Sequence, residues 1–184
     1  MKARVFGTAC TVLVISVLFL VSGCAQTDWV KKGNELYAQR RYEDAISMYE
    51  KALANNPSNS KALIGKGDAL FYLKAYEDAV ASYRKADWYE ATKHPLMLEA
   101  VNRALVEKPD NSDMWSFKGD ILREKGPQRA AIECYDKAIA LNPNNENAKI
   151  GKYNSYIEGG MYKEAEELRQ KGMDADSYTP VTTP

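Results

Sequence analysis

Cysteine and histidine are the side chains from which a nucleophile or a metal site is most readily built, and this chain of 184 residues holds three cysteines and one histidine. With His94 alone, beside Pro95, neither a Ser-His-Asp nor a Cys-His arrangement and no histidine-rich metal site is assembled. The glycines stand singly, or paired at Gly159-Gly160, so there is no phosphate-cradling loop. Carboxylate pairs do occur, at Glu43-Asp44 and Glu77-Asp78, but in the first turn of expected helices, where they favour the positive end of the helix dipole. The residues therefore predict no enzyme, no cofactor, no metal and no small-molecule substrate. Cys134 is expected as a small buried side chain on a helix, and as the one thiol of the folded domain it has no internal disulfide partner. Cys24 remains to be accounted for.

Its explanation lies upstream. Lys2 and Arg4 make a short positive start, Val12 to Val21 is apolar except for Ser16, and the small residues Ser22 and Gly23 stand just before Cys24. This is the layout of a secretory signal peptide over residues 1–23. The ending Val21-Ser22-Gly23-Cys24 resembles the lipobox of prokaryotic lipoproteins. That resemblance implies that Cys24 is thioether-linked to diacylglycerol, acylated as in palmitate-bearing lipoproteins, and becomes the new N-terminus. An uncleaved anchor is the alternative, since the stretch from Val5 to Gly23 approaches the ~20 apolar residues a spanning helix needs. Either way the bulk of the chain is expected outside the cytoplasm, in the cell envelope and tied to the membrane, with residues 24–28 as lipidated N-terminus and short tether.

Charge excludes another class. The whole chain has 25 basic and 25 acidic residues. Loss of residues 1–23 leaves 23 basic groups, so the mature chain is faintly acidic and shows no footprint for nucleic acid. At 45% hydrophobic and 27% charged residues, the composition suits one packed globular domain.

Positioning falls to a repeat. "YEKALANNPSN", "VNRALVEKPDN" and "YDKAIALNPNN" close alike at Asn59, Asn111 and Asn145, while Lys32-Gly33, Lys66-Gly67 and Lys118-Gly119 recur near three beginnings. Two antiparallel helices approach most closely through small residues. Gly33, Ala45 and Ala52 supply them in the first unit, Gly67, Ala79 and Ala86 in the second, and Gly119, Ala131 and Ala138 in the third. Leu36, Tyr42 and Tyr49, Leu70, Tyr76 and Tyr83, and Leu122 and Tyr135 fill the space around them. Pro57 and Pro143 sit just past a second helix, where proline cannot continue it. This pattern, from about residue 26 to 173, resembles the 34-residue tetratricopeptide repeat.

The fold expected is all-α: a tetratricopeptide helix-turn-helix solenoid of about four helix pairs with one extra inserted helix, spanning 29–174. Its units are about 26–59, 60–93, 112–145 and 146–173. In the last, Tyr153, Arg169 and Gly172 replace the contact glycine, the aromatic and the alanine, and "YKEAEELRQKG" is polar, as a capping unit requires. Residues 175–184, rich in Thr and Pro, read as a disordered tail. The irregularity is one of spacing: Gly33 to Gly67 is 34 residues, Gly67 to Gly119 is 52. Met97, Val101 and Ala104 carry a second-helix spacing, and Pro95 suits an opening turn, which predicts a separate helix over 95–107 or a kinked continuation of the helix before it. A single extra helix would reverse the chain direction, and Leu98 on it, with Trp88 just before it, would form either a partner-facing ridge or a cover for the second pair.

The resemblance implies a concave face lined by first helices, bearing Asn34, Tyr37, Asp68, Phe71, Tyr72, Asp120, Arg123, Glu124, Asn154 and Ile157. Tyr37 and Phe71 are equally at home as packing. The carboxylate clamp known in the family is matched only by Asn34, with Val30, Gly65, Asp113 and Phe117 at the other clamp positions, so that mode is not expected. The function expected is a membrane-anchored adaptor or scaffold binding a protein or peptide partner, the alternatives being an obligate structural subunit of an envelope assembly complex and, more remotely, an enzyme.

Overall fold

The computed structural model describes residues 28–126 and 128–170. The signal segment, Cys24 with most of its tether, and the Thr/Pro tail lie outside the described residues.

Ten helices and no strand are found among them. Pairs form from α1 (Trp29–Ala38) with α2 (Tyr42–Asn55), α3 (Ser60–Tyr72) with α4 (Tyr76–Lys85), α7 (Ser112–Lys125) with α8 (Gln128–Leu141), and α9 (Glu146–Glu158) with α10 (Tyr162–Gln170). At two of the junctions a second helix also packs on the first helix of the next pair, α2 on α3 and α8 on α9. That is the stacking by which each pair covers the apolar face of the last. Among the described residues no helix is long and apolar enough to cross a membrane.

The repeated asparagines are helix starts. The side chains of Asn59, Asn111 and Asn145 accept from the backbone N–H of Ala62, Met114 and Ala148 at 3.1, 3.0 and 3.0 Å, each cap typically contributing about 1 kcal/mol. Asp28 and Asp87 do the same for α1 and for the short helix α5 (Trp88–Lys93). Within the first two pairs the turn puts Arg40 and Lys74 at φ 61° and 63°, and in the fourth the same place is taken by Gly160 at φ 70°.

Between the second and third pairs lies α6 (Pro95–Glu107), with proline in its first turn. Two expectations are corrected here. The insertion holds two helices, since α5 precedes α6 with only His94 in extended conformation between them, so the reversal of chain direction expected from one extra helix loses its premise. The second pair also ends at Lys85 rather than near 93, because residues 88–93 have been drawn into α5. As α6 begins after an extended His94, it is a helix in its own right and not a kinked continuation.

This irregular segment sits at the largest part of the core. Met97, Ala100, Val101, Ala104 and Leu105 of α6 join Ala79, Val80 and Tyr83 of α4, Ala91 of α5, and Met114, Phe117 and Ile121 of α7 in one buried cluster. Smaller clusters hold the first pair around Ala45, Tyr49, Ala52 and Ala62, and the last around Ala131, Tyr135, Ala138 and Ala148. Leu98 packs half-buried against the central cluster and so belongs to the core, while Trp88 stays 37% exposed.

Candidate functional site

Three buried tyrosines on second helices organise the first helices opposite them. Tyr49, Tyr83 and Tyr135 donate their hydroxyls to Asn34, Asp68 and Asp120 at 2.7, 2.6 and 2.8 Å. Burial, with the Asp68 charge second, pushes the Tyr49 hydroxyl up to about 12. The same two causes hold Tyr83 far above the ordinary phenol range, and burial with Asp120 does so for Tyr135. These are phenols kept protonated as donors, not bases. Asn34, Asp68 and Asp120, expected on the concave face, thus each commit an oxygen to holding their own pair together.

The rings explain the glycines. A Cβ on Gly33 would meet Tyr49 at 2.5 Å, one on Gly67 would meet Tyr83 at 2.6 Å, and one on Gly119 would meet Tyr135 at 2.5 Å. The repeat spacing marks these three. It does not mark a second set, in which two of the rings also touch the following pair: Gly65 bears on Tyr49 and Gly151 on Tyr135. Against Tyr83 stands His94 instead, its ring 5.8 Å away and 27° from parallel. His94 Nε2 lies 3.3 Å from Asp68 Oδ2, so the lone histidine is built into packing.

A shelf of aromatics forms where the first two pairs turn. Tyr42 stacks on Tyr72 at 5.1 Å, and Tyr37 meets both edge-on at 5.6 and 5.9 Å. Phe71 joins Tyr72 to Tyr76 at 5.7 and 5.5 Å. Tyr72 is 49% exposed and Tyr37 half-buried, its hydroxyl raised by burial and then by the Asp68 charge. Tyr37, Phe71 and Tyr72 are therefore brought together. The other expected residues lie apart from them: Arg123 pairs with Glu158 at 2.5 Å across α7 and α9, with Glu124 beside it at 3.6 Å, Asn154 and Ile157 are half-buried on α9, and the Trp88 ring stands edge-on to Phe117 at 6.0 Å.

No cluster of His, Cys, Asp and Glu among the described residues could hold a metal ion. Cys134 is buried, and burial raises its thiol, which disfavours the nucleophilic thiolate.

A family model described as "Tetratricopeptide repeat" matches residues 30–95, and one described as "TPR repeat" matches residues 119–148. The chain is similar to the peroxisomal targeting signal receptor of Candida albicans, 29% identical over 86 residues, covering 47% of this chain and 14% of that protein. It is also similar to a TPR repeat-containing protein of Methanocaldococcus jannaschii, 28% identical over 76 residues, covering 35% of this chain and 22% of that one. The matches therefore span less than a quarter of either relative. Among solved structures, MamA aligns with TM-score 0.44 and 21% identity over 86% of this chain and 97% of that chain. YrrB, described as a TPR protein with an unusual peptide-binding site, aligns with TM-score 0.41 and 19% identity over 78% and 82%.

Proposed function

We propose, on the premise that the chain belongs to the tetratricopeptide repeat family, that it is a non-catalytic adaptor of the cell envelope, held to a membrane by lipid on Cys24 and binding a protein or peptide partner near that membrane. The observation that carries the binding part is the aromatic shelf. Large rings fixed by one another lose little entropy on contact, and Trp and Tyr dominate binding hot spots. Five rings meet there, with Tyr72 half in solvent at their centre. The Candida albicans relative is by its name a receptor for a targeting signal, which accords with a peptide partner. The membrane part rests on Val21-Ser22-Gly23-Cys24 alone. With Ala25 to Asp28 as tether, at most ~3.6 Å per residue, the domain rides close to its bilayer.

Both parts are open to one set of experiments in intact cells. A photo-crosslinking residue at Tyr72 is expected to capture one partner, and Tyr72→Ala and Tyr37→Ala should abolish binding of that partner while leaving the chain folded. Capture of nothing at Tyr72, with capture at an exposed position such as Tyr162, moves the site off the shelf and sinks this reading. For the anchor, Cys24→Ala should leave an unprocessed precursor without lipid label, and a wild-type mature mass in that variant contradicts it.

A further inference from the structure

The starts of α1 and α3 meet at the end of the first pair that follows the tether. Two adjoining hollows of about 380 and 350 Å³ lie there and share Asp28, Val30 and Asn59. Lys31, Asn34 and Lys61 complete the lining of the larger one. The second is bordered by Trp29, half-buried, with Lys51 Nζ 4.8 Å and Lys32 Nζ 6.0 Å from its ring centroid.

Positive charge is concentrated at this end. Residues 28–34 and 51–61 carry Lys31, Lys32, Lys51 and Lys61 against Asp28 alone. All four lysines are exposed, and among the described residues none of them forms an ion pair. Of the bordering carboxylates, Glu50 is held by Lys66 at 2.7 Å, Asp87 accepts the Glu90 N–H, and Glu35 pairs with neither Lys31 nor Lys32. The Trp29 ring attracts an ammonium but leaves its charge uncompensated. Lys31 and Lys61 stand in first helical turns, where the dipole disfavours a cation and where α2 and α4 carry Glu43-Asp44 and Glu77-Asp78.

The neutral groups of the larger hollow are donors too. Asn34 and Asn59 spend their side-chain oxygens on the Tyr49 hydroxyl and the Ala62 N–H, which leaves their amide N–H groups for the hollow. Asp28, the carboxylate among them, accepts the Lys31 N–H at 3.0 Å. Two ammonium groups and two amides around a carboxylate already engaged suit an anion with several oxygens. An indole set among lysines also matches a bilayer interface, where such a ring lies at headgroup level and long basic side chains reach the phosphates. Asp28 follows Cys24 by four residues, which keeps this end within roughly 15 Å of a lipid carried there.

We infer that this end of the first pair is a bilayer-facing surface, on which Lys31, Lys32, Lys51 and Lys61 receive the phosphates of anionic lipid headgroups and Trp29 sits at the interface. The inference rests on the Cys24 anchor of the reading above and adds how the domain is seated on its membrane. Helix α1 then leads away from the bilayer, and Tyr37, eight residues beyond Trp29, stands about 12 Å further along its axis. The aromatic shelf is thereby turned outward, towards a partner.

The test is amide hydrogen exchange of the full chain in lipid nanodiscs. One set is phosphatidylcholine with about a quarter phosphatidylglycerol, which gives the surface a negative potential, and the other is phosphatidylcholine alone. Amides of residues 58–61 should be protected in the anionic discs and not in the neutral ones, and about 1 M salt should abolish the difference by cutting the Debye length to roughly 3 Å. Lys31→Gln combined with Lys61→Gln should reduce the protection about 25-fold, at roughly 5-fold for each lysine near an anionic surface. Neither lysine has an ion pair to lose, so the variant stays folded, and Lys163→Gln on exposed α10 is the control that should change nothing. Equal protection in both discs, or unchanged protection in the double variant, overturns the inference. A photo-crosslinking residue at Lys61 in intact cells should label phospholipid, and capture of a protein there instead gives the face to a partner and overturns it as well. The anchor is scored separately by lipid label on Cys24. A labelled chain with equal protection in both discs rejects the headgroup surface and spares the anchor, whereas an unlabelled chain that still shows the difference keeps the surface and rejects lipid on Cys24.

Discussion

The ring of His94 lies against that of Tyr83, centroids 5.8 Å apart, where Tyr49 and Tyr135 each meet a glycine of the following pair. A histidine thus fills the space that the regular stack closes with backbone, and it does so at the point where the stack is interrupted. Its Nε2 also faces Asp68, which accepts from Tyr83. His94→Ala should leave a void beside Tyr83 and remove a partner of a half-buried carboxylate. A loss of ~1–3 kcal/mol is expected from urea unfolding. No measurable loss would show that the segment around α5 packs independently of this ring.

The two glycine sets should behave alike. Gly151→Ala places a Cβ into the Tyr135 ring and is expected to cost ~1–3 kcal/mol by overpacking. Gly126→Ala is the control, since the nearest atom to its Cβ is a carbonyl oxygen at 3.7 Å, an ordinary contact, and the effect should stay within ~0.5 kcal/mol. Thermal melts of the two variants side by side give the comparison.

The left-handed turns invite a substitution that glycine rarely improves. Arg40 and Lys74 are exposed and hold φ values of 61° and 63°, a region that costs an L-residue ~1–2 kcal/mol. Lys74→Gly should therefore raise stability by ~0.5–1 kcal/mol, with entropy of the unfolded chain offsetting part of the gain. At Gly160, where the chain already has glycine at φ 70°, Gly160→Ala should lose about as much. A fall in melting temperature for Lys74→Gly would mean that its side chain contributes more than the strain removes.

Asp120 gives a pH dependence with a definite sign. Burial, opposed by the Tyr135 hydrogen bond and by Arg123 and Arg84, holds its carboxyl above the ordinary range. The folded chain thus binds this proton more tightly than the unfolded chain does. The stability it contributes is complete below the unfolded value and is lost as pH rises through the folded one. Asp120→Asn keeps an oxygen for Tyr135, as Asn34 does for Tyr49, and removes the buried charge. The variant should melt above wild type at about pH 7, with the difference shrinking towards about pH 3.5. A difference that grows on acidification would reverse the sign and place the stabilising partner of Asp120 elsewhere.

Much of the fold was legible because its constraints recur at fixed offsets. Gly33, Gly67 and Gly119, with Ala45, Ala79 and Ala131, mark helix contacts that permit only small residues, and three closings in asparagine mark helix starts. The bounds of α6 followed from Pro95 and from Met97, Val101 and Ala104, all but Pro95 buried. Helix α5 was not legible, since six residues cannot display a period and Asp87 reads as a cap only once the helix is seen. Gly65 and Gly151 escaped because the register followed one glycine per pair, while a tyrosine ring has a neighbour on the next helix as well. Of the expected concave residues, Tyr37, Phe71 and Tyr72 form a cluster, but that Asn34, Asp68 and Asp120 accept from tyrosines could not be read from spacing alone, since the fifteen-residue separation says nothing of which way an oxygen turns.

In a uniform solenoid any unit can be copied, removed or exchanged, because each meets its neighbours through the same surface. This chain has lost that freedom in its middle. From Ala79 to Ile121 one continuous buried cluster is threaded through α6, so the second and third pairs are no longer separable modules. Grafting, duplication and circular rearrangement are confined to the outer pairs, and the block between them is inherited as a single piece.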